Sequence, residues 1–474
     1  MANVIPGNPI DPNFPKYVYT TEPLMEVYGG RDAAVKKAVA RVFLGEWMKL
    51  LDDPLPEQGR IHVKYRGGKG YVNPKQLGWK RHLEIFFIDV SQGDSMLIQT
   101  PDDRRVLIDG GESAETFEFI QNKYRLDAAD HYVDFDAVVA THSDEDHTKG
   151  LIKVLECPQV AVKRFYHNGL FRRVDEAQDP GPRVGDRVFG LVDRPTVSDV
   201  PDLTPLMKKI VNAIGKAEKN LPQVVEKMKK VDRWKDRIDL PQEGFVCKRL
   251  EAADRYLPPF NDPGRPFSIQ VLWPAAEVHQ GKLSYPYYED AGKTVNGNSI
   301  VLMARHGNKR ILLTGDLNTK SMEEIIKHYP PPVGQGESLL RAEVYKAAHH
   351  GSQHFSLDFL KIVAADAAVI SSGDERQDVH GHPRAVLLGT VTRYSKATKP
   401  AVFSTELAAC FKRLSKEEMK QFKKGTKQLY ERSIRGIVHL RSDGERLYLG
   451  TVHGRKPPKD PAANILWKWD IWPT

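Results

Sequence analysis

Residues 135–147 have the sequence FDAVVATHSDEDH, in which an apolar run leads directly into a cluster of polar side chains. The run 135–141 predicts a buried strand. Four side chains that can bind a metal follow it: His142, Asp144, Asp146 and His147. On a tight loop, such groups can converge on a pair of divalent ions, which offset the charge of the carboxylates. The alternative is an exposed acidic loop with two incidental histidines.

Groups of the same kind stand at three further strand ends. The apolar run LLTGD ends at Asp316, a position expected for a carboxylate that bridges two metals. His349 and His350 end a second run, and His382 lies shortly after the strand predicted at 367–373. Loops at strand ends line the clefts of α/β proteins. The recurrence predicts one metal cleft, although each histidine alone could be a surface residue or a loop anchor.

The composition is that of a globular protein. Of the 474 residues, 40% are hydrophobic and 28% are charged, and the longest apolar runs are strand-sized. We therefore expect no membrane span. The first residues have neither a basic start nor an apolar core, so no secretory signal is expected. Cys157, Cys247 and Cys410 lie far apart, which favours reduced thiols and a cytoplasmic location.

Residues 1–80 are predicted to form an N-terminal extension, ahead of a main domain at 81–455 and a C-terminal tail at 456–474. Apolar spacing in the extension predicts a helix over 32–51. The Gly-rich basic stretch 62–71 favours a small β-turn module over contact with a phosphate backbone. The extension is also a candidate surface for a protein partner. We expect Trp467, Trp469 and Trp472 in the tail to pack against the body.

Two basic helical insertions are predicted in the main domain, at about 175–262 and 407–432. Residues 203–238 contain ten Lys or Arg against four Asp or Glu, and residues 411–432 contain eight against three. With a net charge of +8, this balance favours nucleic acid as a partner. A solvated lysine-rich face is the alternative. The candidate nucleic-acid-binding residues are Lys208, Lys209, Lys227, Lys229, Lys230 and Arg233.

Several motifs follow one another in the order of a known family. They are DVSQGD (89–94), LIDGG (107–111), HSDEDH (142–147), NS (298–299), LTGD (313–316), HHGS (349–352), SSG (371–373) and HP (382–383). This order resembles the metallo-β-lactamase domain of the ComEC-type competence proteins. The resemblance extends from about residue 83 to 452, outside the extension. It implies an α/β fold, the αββα sandwich of metallo-β-lactamases, without the transmembrane parts of ComEC proteins.

The resemblance also implies metal ligands. One metal would be held by His142 and Asp144, and the second by Asp146, His147 and His382, with Asp316 bridging the two. His349 and His350 would each be a ligand, an oxyanion stabiliser or a proton donor. The residues expected to support the ligands from behind are Asp89, Asp94, Asp109 and Asn298. Because Asp144 and Asn298 stand where histidines are more usual, the metal beside His142 is expected to bind more weakly.

Two divalent ions, zinc or manganese, would activate water for hydrolysis. The fold alone does not select among esters, amides and phosphodiesters. The basic segments favour a phosphodiesterase or nuclease acting on DNA or RNA, with Asp146, His349 and His350 as catalytic residues. One alternative is a hydrolase of a small phosphoester, such as a cyclic nucleotide or a choline-type phosphodiester. The other is a non-catalytic binding module that kept the fold.

Overall fold

Short runs rich in valine, isoleucine and leucine form two large sheets that pack face to face. The computed structural model describes residues 17–52, 58–65, 68–174, 180–198, 200, 202–231, 238, 240–262, 264–334, 336–373, 381–411, 415–424, 430–452 and 469–473. Strands are numbered along the chain. In spatial order, the first sheet consists of β17 (Val246–Arg249), β14 (Arg164–His167), β12 (Ala137–Ala140), β10 (Arg105–Ile108), β9 (Met96–Gln99), β8 (Leu83–Phe87), β28 (Val438–Ser442), β29 (Leu447–Val452) and β30 (Trp469–Pro473).

The second sheet has six strands. In spatial order they are β18 (Phe267–Trp273), β21 (Val301–His306), β22 (Lys309–Leu313), β23 (Val344–Lys346), β24 (Ala367–Ile370) and β25 (Ala401–Ser404). The strands predicted from apolar runs in this region, including the one at 367–373, are confirmed with slightly different ends. The hairpin predicted at 436–452 is also confirmed, since β28 pairs with β29 across a turn at Asp443 and Gly444.

Alternating side chains on each strand divide the apolar residues between two environments, because successive residues point to opposite faces. Ile85 of β8 packs into the core between the sheets, together with Leu302 of β21. Its neighbour Phe86 instead joins the core beneath the helices of the first sheet. Helices cover the outer face of each sheet: α1 (Glu115–Tyr124), α3 (Leu151–Glu156) and α4 (Pro205–Lys229) on the first, and α6 (Thr319–His328), α7 (Leu357–Val363) and α8 (Ala385–Arg393) on the second. The predicted αββα sandwich is confirmed.

Parallel strands bring the predicted metal-binding loops to one edge of each sheet. β10 pairs in parallel with β12, and β22, β23 and β24 are parallel to one another. The loop that begins at Thr141 follows β12, and Asp316 and His349 follow β22 and β23. The carboxyl ends of parallel strands lie at the same edge, so these loops meet there.

The N-terminal extension is a sheet with its own core, and the helix predicted over 32–51 is wrong. Its strands, in spatial order, are β3 (Ala38–Phe43), β2 (Leu24–Tyr28), β6 (Gly68–Val72), β5 (Ile61–Tyr65), β4 (Trp47–Leu50), β1 (Tyr17–Thr20) and β7 (Leu77–Gly78). Val27, Val42, Met48 and Val63 belong to this core. Residues 38–43 and 47–50 are strands because they pair with β2 and β1, and these tertiary contacts outweigh a helical spacing of apolar residues. The β-module predicted at 62–71 is confirmed as the pairing of β5 with β6.

The first predicted insertion is partly correct. Helix α4 fills residues 205–229, but it packs on α3 and on strand β13 (Val160–Val162) as part of the helical layer. β17, which also lies within 175–262, is the edge strand of the first sheet. The region is therefore integrated into the domain.

The second insertion was predicted as one basic helix, and this is wrong. The described residues of this region form two paired strands, β26 (Glu406–Phe411) and β27 (Tyr430–Arg435), and the short helix α9 (Lys416–Lys423) between them in the chain. In the tail, β30 pairs with β29, while Trp467 lies outside the described residues. Among the described helices, none has both the length and the apolar character needed to cross a bilayer.

The remaining elements connect the layers. They are β11 (Val133–Phe135), β15 (Arg183–Val184), β16 (Arg187–Val188), β19 (Glu277–His279), β20 (Lys282–Pro286), α2 (Glu145–Thr148) and α5 (Ala291–Gly297). Between the extension and the first sheet, the fully buried Arg441 of β28 donates to the carbonyl of Leu44 at 2.8 Å. Its guanidinium also lies 3.5 Å from the Glu46 carboxylate. A buried cation thus joins the extension to the sandwich.

Candidate metal centre

The loop after β12 is held by Asp109, at the end of β10. The Asp109 carboxylate accepts hydrogen bonds from the amide and hydroxyl of Thr141, both at 2.7 Å. It also lies 2.8 Å from Nδ1 of His147, on α2. Because Nδ1 is bound to this fully buried carboxylate, Nε2 of His147 is the nitrogen left to face the cleft. Asp109 thus orients a candidate ligand, as predicted.

Four side chains from three loops, including His147, converge in the cleft. Nε2 of His147 lies 3.3 Å from Oδ1 of Asp316 and 3.4 Å from Nε2 of His350. Nε2 of His350 in turn lies 3.2 Å from Oδ2 of Asp146 and 3.3 Å from Oδ2 of Asp316. Two imidazole nitrogens and two carboxylates therefore face one small space. We call His147, Asp146, Asp316 and His350 the inner cluster.

Asp94 and Lys346 support His350 from behind. Oδ1 of Asp94 lies 3.4 Å from Nδ1 of His350, which also contacts the carbonyl of Ser371 at 3.1 Å. The other oxygen of Asp94 accepts a hydrogen bond from the Lys346 ammonium. Asp94 lies close enough to His147, Asp316 and His350 to share a cation with them. Because the fully buried Lys346 already compensates its charge, we assign Asp94 to orienting His350.

His142 and Asp144 form a second group beside the inner cluster. The rings of His142 and His147 lie 4.0 Å apart, and Nε2 of His142 is 3.8 Å from Oδ2 of Asp144. Nδ1 of His142 contacts the hydroxyls of Thr141 and Ser299, at 3.1 and 3.2 Å. Nε of the Arg172 guanidinium donates to Oδ1 of Asp144 at 2.6 Å. This group offers fewer ligands than the inner cluster.

Asn298 does not reach either group through its amide nitrogen. That nitrogen donates to the carbonyls of Pro286 and Thr294, at 3.0 and 2.8 Å. The next residue, Ser299, makes the contact with His142 instead, and it also accepts the amide of Asp316 at 3.1 Å. The support predicted from Asn298 thus comes from Ser299. Asp89 accepts the amide of Ser91 at 3.4 Å, within its own loop.

The remaining two histidines lie at the rim. The His349 ring is 5.7 Å from that of His382, and its Nε2 is 3.9 Å from Oδ2 of Asp316. The His382 ring lies 6.5 Å from that of His350. Among the described residues, the structure adds His350 to the side chains that could share a cation, a residue that the prediction for the second metal did not include as a definite ligand.

The electrostatics of the inner cluster favour added positive charge. Burial disfavours the charged form of His147, but the carboxylates of Asp316, Asp109 and Asp146 raise its pKa well above the ordinary value. The pKa of His350 is raised in the same way, against burial, mainly by Asp316. Burial lowers the pKa of His142. The carboxylates that stabilise the protonated forms of His147 and His350 would equally stabilise a divalent cation bound in place of those protons.

The donors present fit divalent metal ions. Within the described part of the chain, Nε2 of His142 and Oδ1 of Asp316 are buried and have no hydrogen-bond partner. Leaving such atoms unpaired costs about 1–3 kcal/mol each. A cation coordinated by both would remove that cost. Imidazole nitrogens with carboxylate oxygens suit zinc, manganese or iron.

Two glycines let the neighbouring loops approach the metal loop. Gly93 has φ +109°, and a Cβ there would lie 1.9 Å from the carbonyl oxygen of Asp146. A Cβ on Gly373 would lie 1.9 Å from the carbonyl carbon of Ser91. The motifs DVSQGD and SSG therefore carry glycine because backbone contacts backbone at these points.

Three supporting residues, Arg172, Ser299 and Lys346, were not assigned from the sequence. Ser299 stands within a quoted motif, at the start of an apolar strand, and Lys346 lies three residues before the HHGS motif, as a charged residue at the end of an apolar strand. Arg172 follows β14 by a few residues, so its signal was a basic residue after a strand end. The nucleic-acid-binding residues predicted from the sequence lie on α4, namely Lys208, Lys209, Lys227 and Lys229, or directly after it, namely Lys230. Arg233 lies outside the described residues.

Comparison with known proteins agrees with the motifs. The protein is similar to ComE operon protein 3 of Bacillus subtilis (strain 168), with 24% identity over 319 residues. The match covers 64% of this chain and 30% of that protein, so the chain spans less than a third of its relative. The predicted resemblance to ComEC-type proteins is confirmed.

Two solved structures are similar at low identity. One is CmlA, a diiron beta-hydroxylase from Streptomyces venezuelae, with 9% identity and a TM-score of 0.33 over 68% of this chain and 52% of that one. The other is Zn(2+)-bound PqqB from Methylobacterium extorquens, with 13% identity and a TM-score of 0.26 over 60% of this chain and 71% of that one. Residues 88–373, more than half of the chain, match the family model of the metallo-beta-lactamase superfamily. The chain belongs to the metallo-beta-lactamase superfamily.

Proposed function

We propose that this metal-dependent hydrolase is a phosphodiesterase that cleaves nucleic acid. The observation that carries the proposal is the set of carboxylates and imidazoles of the inner cluster with the Arg172 guanidinium beside it. Arg172 is held by Asp144 and keeps about a fifth of its side chain exposed (21%). A guanidinium at the edge of a metal site suits a phosphate, whose charge and geometry it matches.

Two divalent cations, zinc or manganese, would be held by the residues already described. The inner cluster would hold one, His142 and Asp144 the other, and Asp316 would bridge them. When bound, they supply Lewis acidity that lowers the pKa of water and offsets the charge of a phosphodiester. Because the group around His142 has fewer ligands, its cation is expected to dissociate first.

The chain's own residues would orient the substrate. Arg172 would bind a non-bridging phosphate oxygen through the guanidinium nitrogens that Asp144 does not engage. His349 lies at the rim with 29% of its side chain exposed, and its Nδ1 has no hydrogen-bond partner among the described residues. We assign His349 to hydrogen bonding with the leaving oxygen and His350 to the metal.

A stripe of lysines on α4 supports a polymeric substrate. At 100° per residue, residues 7, 10, 18 and 21 positions apart fall on one side of a helix. The exposed lysines with this spacing are Lys209, Lys216, Lys219, Lys227 and Lys230. The stripe is about 30 Å long at 1.5 Å per residue, which allows several backbone phosphates to be contacted at once. Lys208 and Lys229 flank it.

The test is hydrolysis of single- and double-stranded DNA and RNA, and of a generic bis-phosphodiester, by protein loaded with Mn²⁺ or Zn²⁺. We expect cleavage by the wild type, and its loss together with the metal in His147→Ala and Asp146→Ala. Metal content is measured on the same samples. The proposal would be overturned if wild-type protein with its full metal content left every substrate intact, as Asp146→Ala is expected to do.

Salt dependence separates a polymer from a small phosphoester. Affinity for a duplex falls with log salt by about 0.9 per phosphate contact. Replacing Lys209, Lys216, Lys227 and Lys230 by glutamine should therefore reduce the slope by about 3 to 4. A matched control replaces the exposed lysines Lys282 and Lys327, on β20 and α6. A shallow slope that does not change in the α4 variant would favour the small substrate.

A further inference from the structure

The outer face of the N-terminal sheet carries a row of rings beside a row of lysines. Tyr28 of β2 lies opposite Tyr71 of β6, which lies opposite His62 of β5. These three side chains are half-buried, while the residues between them along the strands are in the core. The outer face is therefore a surface of the sheet, separate from its inner packing.

The lysine row runs across the same face. Lys69 of β6 lies opposite Lys64 of β5, which lies opposite Lys49 of β4. Lys49 in turn lies opposite Tyr17 of β1. Lys64 and His62 are two residues apart on one strand, so the two rows are separated by about 7 Å.

Stability of the sheet does not explain these lysines. Like charges directly opposite each other across strands destabilise a sheet. In the part of the chain that the structure describes, Lys49, Lys64 and Lys69 form no ion pair and are exposed. Within the described strands of this sheet the acidic residue is Glu26, and Arg41 pairs with it at 3.0 Å. The row is therefore uncompensated positive charge that an anionic ligand would neutralise.

Two arginines lie beside the rings of this face. The Arg60 guanidinium lies 3.5 Å from the centre of the Tyr28 ring, and that of Arg31 lies 5.6 Å from Tyr71. The rings of His62 and Tyr71 are stacked at 4.7 Å. Planar groups thus stand side by side along one row. A ligand that combines planar rings with regularly spaced negative charges matches both rows.

We propose that this face binds single-stranded nucleic acid, with bases stacking on the ring row and phosphates contacting the lysine row. Unpaired bases stack on aromatic side chains in single-strand binding proteins, beside a positive track for the backbone. Bases of a duplex are already stacked and do not reach the rings, so the face discriminates against duplexes. The inference names a substrate class for the proposed function, but binding here requires no cleavage.

The test uses the full chain in EDTA, with fluorescence anisotropy of a labelled oligothymidylate and of a duplex. We expect Lys49→Gln/Lys64→Gln/Lys69→Gln to weaken binding of the single strand and lower its salt slope by about 2, since each contact contributes about 0.7. Melting temperature should stay the same or rise, because repulsion is removed. Tyr71→Ala should weaken single-strand binding about tenfold, and Tyr71→Phe should retain it.

The duplex is the internal control, since its affinity should be unaffected by Tyr71→Ala. The α4 lysine variant described above should instead lower both affinities. The inference would be overturned if the triple lysine variant bound the oligothymidylate with the same affinity and the same salt slope as the wild type. Equal losses for single strand and duplex with Tyr71→Ala would also overturn it, as would competition by polyglutamate as effective as that of the oligothymidylate. Because no metal is present, these outcomes are independent of whether the protein cleaves nucleic acid.

Discussion

Asp109 makes contacts to the metal loop with both of its oxygens, and this makes it the sharpest single-residue test of the site. In Asp109→Asn, the new amide nitrogen would face donors at Thr141 or His147. His147 would lose its orienting acceptor. We expect metal affinity to fall about 10–100-fold, measured by competition with a metal-sensitive dye. Asparagine tolerates the positive φ of +57° at this position, so the fold should be retained.

Asp134→Asn is the matched control for this change. Asp134 is also buried, but its carboxylate pairs with Arg105 and Lys163, outside the metal loop. Its loss should lower stability and leave metal affinity unchanged. An Asp109→Asn protein that binds metal as tightly as the wild type would show that Asp109 does not orient His147.

Lys346 is a second residue whose role can be measured. It is fully buried and pairs with the fully buried Asp94. Removing one partner of such a pair leaves an uncompensated charge and costs about 3–5 kcal/mol. We expect Lys346→Met to lower the free energy of unfolding by this amount in urea titrations. The double variant Lys346→Met/Asp94→Leu should recover much of it, and a double variant as unstable as the sum of the single ones would contradict the pairing.

At the scale of elements, the loop 89–94 and the helix α2 depend on one close contact. A Cβ at Gly93 would lie 1.9 Å from the Asp146 carbonyl oxygen, so Gly93→Ala must displace one of the two. We expect this variant to lose metal binding and to have a lower melting temperature. Metal analysis and thermal unfolding measure these two effects. Gly185→Ala is the control, because Gly185 also has a positive φ, of +61°, but has open space around it. Equal effects of both changes would mean that backbone strain, rather than the contact, is responsible.

At the scale of the whole molecule, buried histidines make stability depend on pH. Burial lowers the pKa of both His82 and His306 to about 4, although Asp443 favours their charged forms. The unfolded chain binds these protons below about pH 6.5, whereas the folded protein binds them only near 4. Stability is therefore complete above pH 6.5 and is lost as the pH falls towards 4, by roughly 3 kcal/mol per histidine at the lower end.

His306→Gln tests this titration. Between about pH 7 and about pH 5.5, the free energy of unfolding of the variant should fall by about 1 kcal/mol less than that of the wild type. The difference between the two proteins isolates His306 from other titrating groups. The exposed His279 provides the control, and His279→Gln should follow the wild-type profile. Identical pH profiles for His306→Gln and the wild type would contradict the buried neutral state.

Strand ends carried most of the information about the site in the sequence. The loop 142–147, Asp316 and the pair His349–His350 were all predicted to meet, and the structure brings them to one edge of the sandwich. Their sequence order was enough because parallel strands place their carboxyl ends together. The sequence did not decide between His349 and His350 for the inner cluster. Both His349 and His350 have positive φ, +49° and +52°, and this backbone conformation determines which ring turns inwards.

The sequence by itself determined the positions of many sandwich strands and the metal loop, since these depend on local apolar patterns and on residues close in the chain, and the order of its motifs implied the sandwich. The tertiary structure decided the rest. Residues 38–43 and 47–50 are strands because β2 and β1 pair with them, against their helical spacing. Lys346 and Asp94 meet across 252 positions, and the lysine row exists only once β4, β5 and β6 align. Such contacts join residues distant in sequence, and no local pattern encodes them.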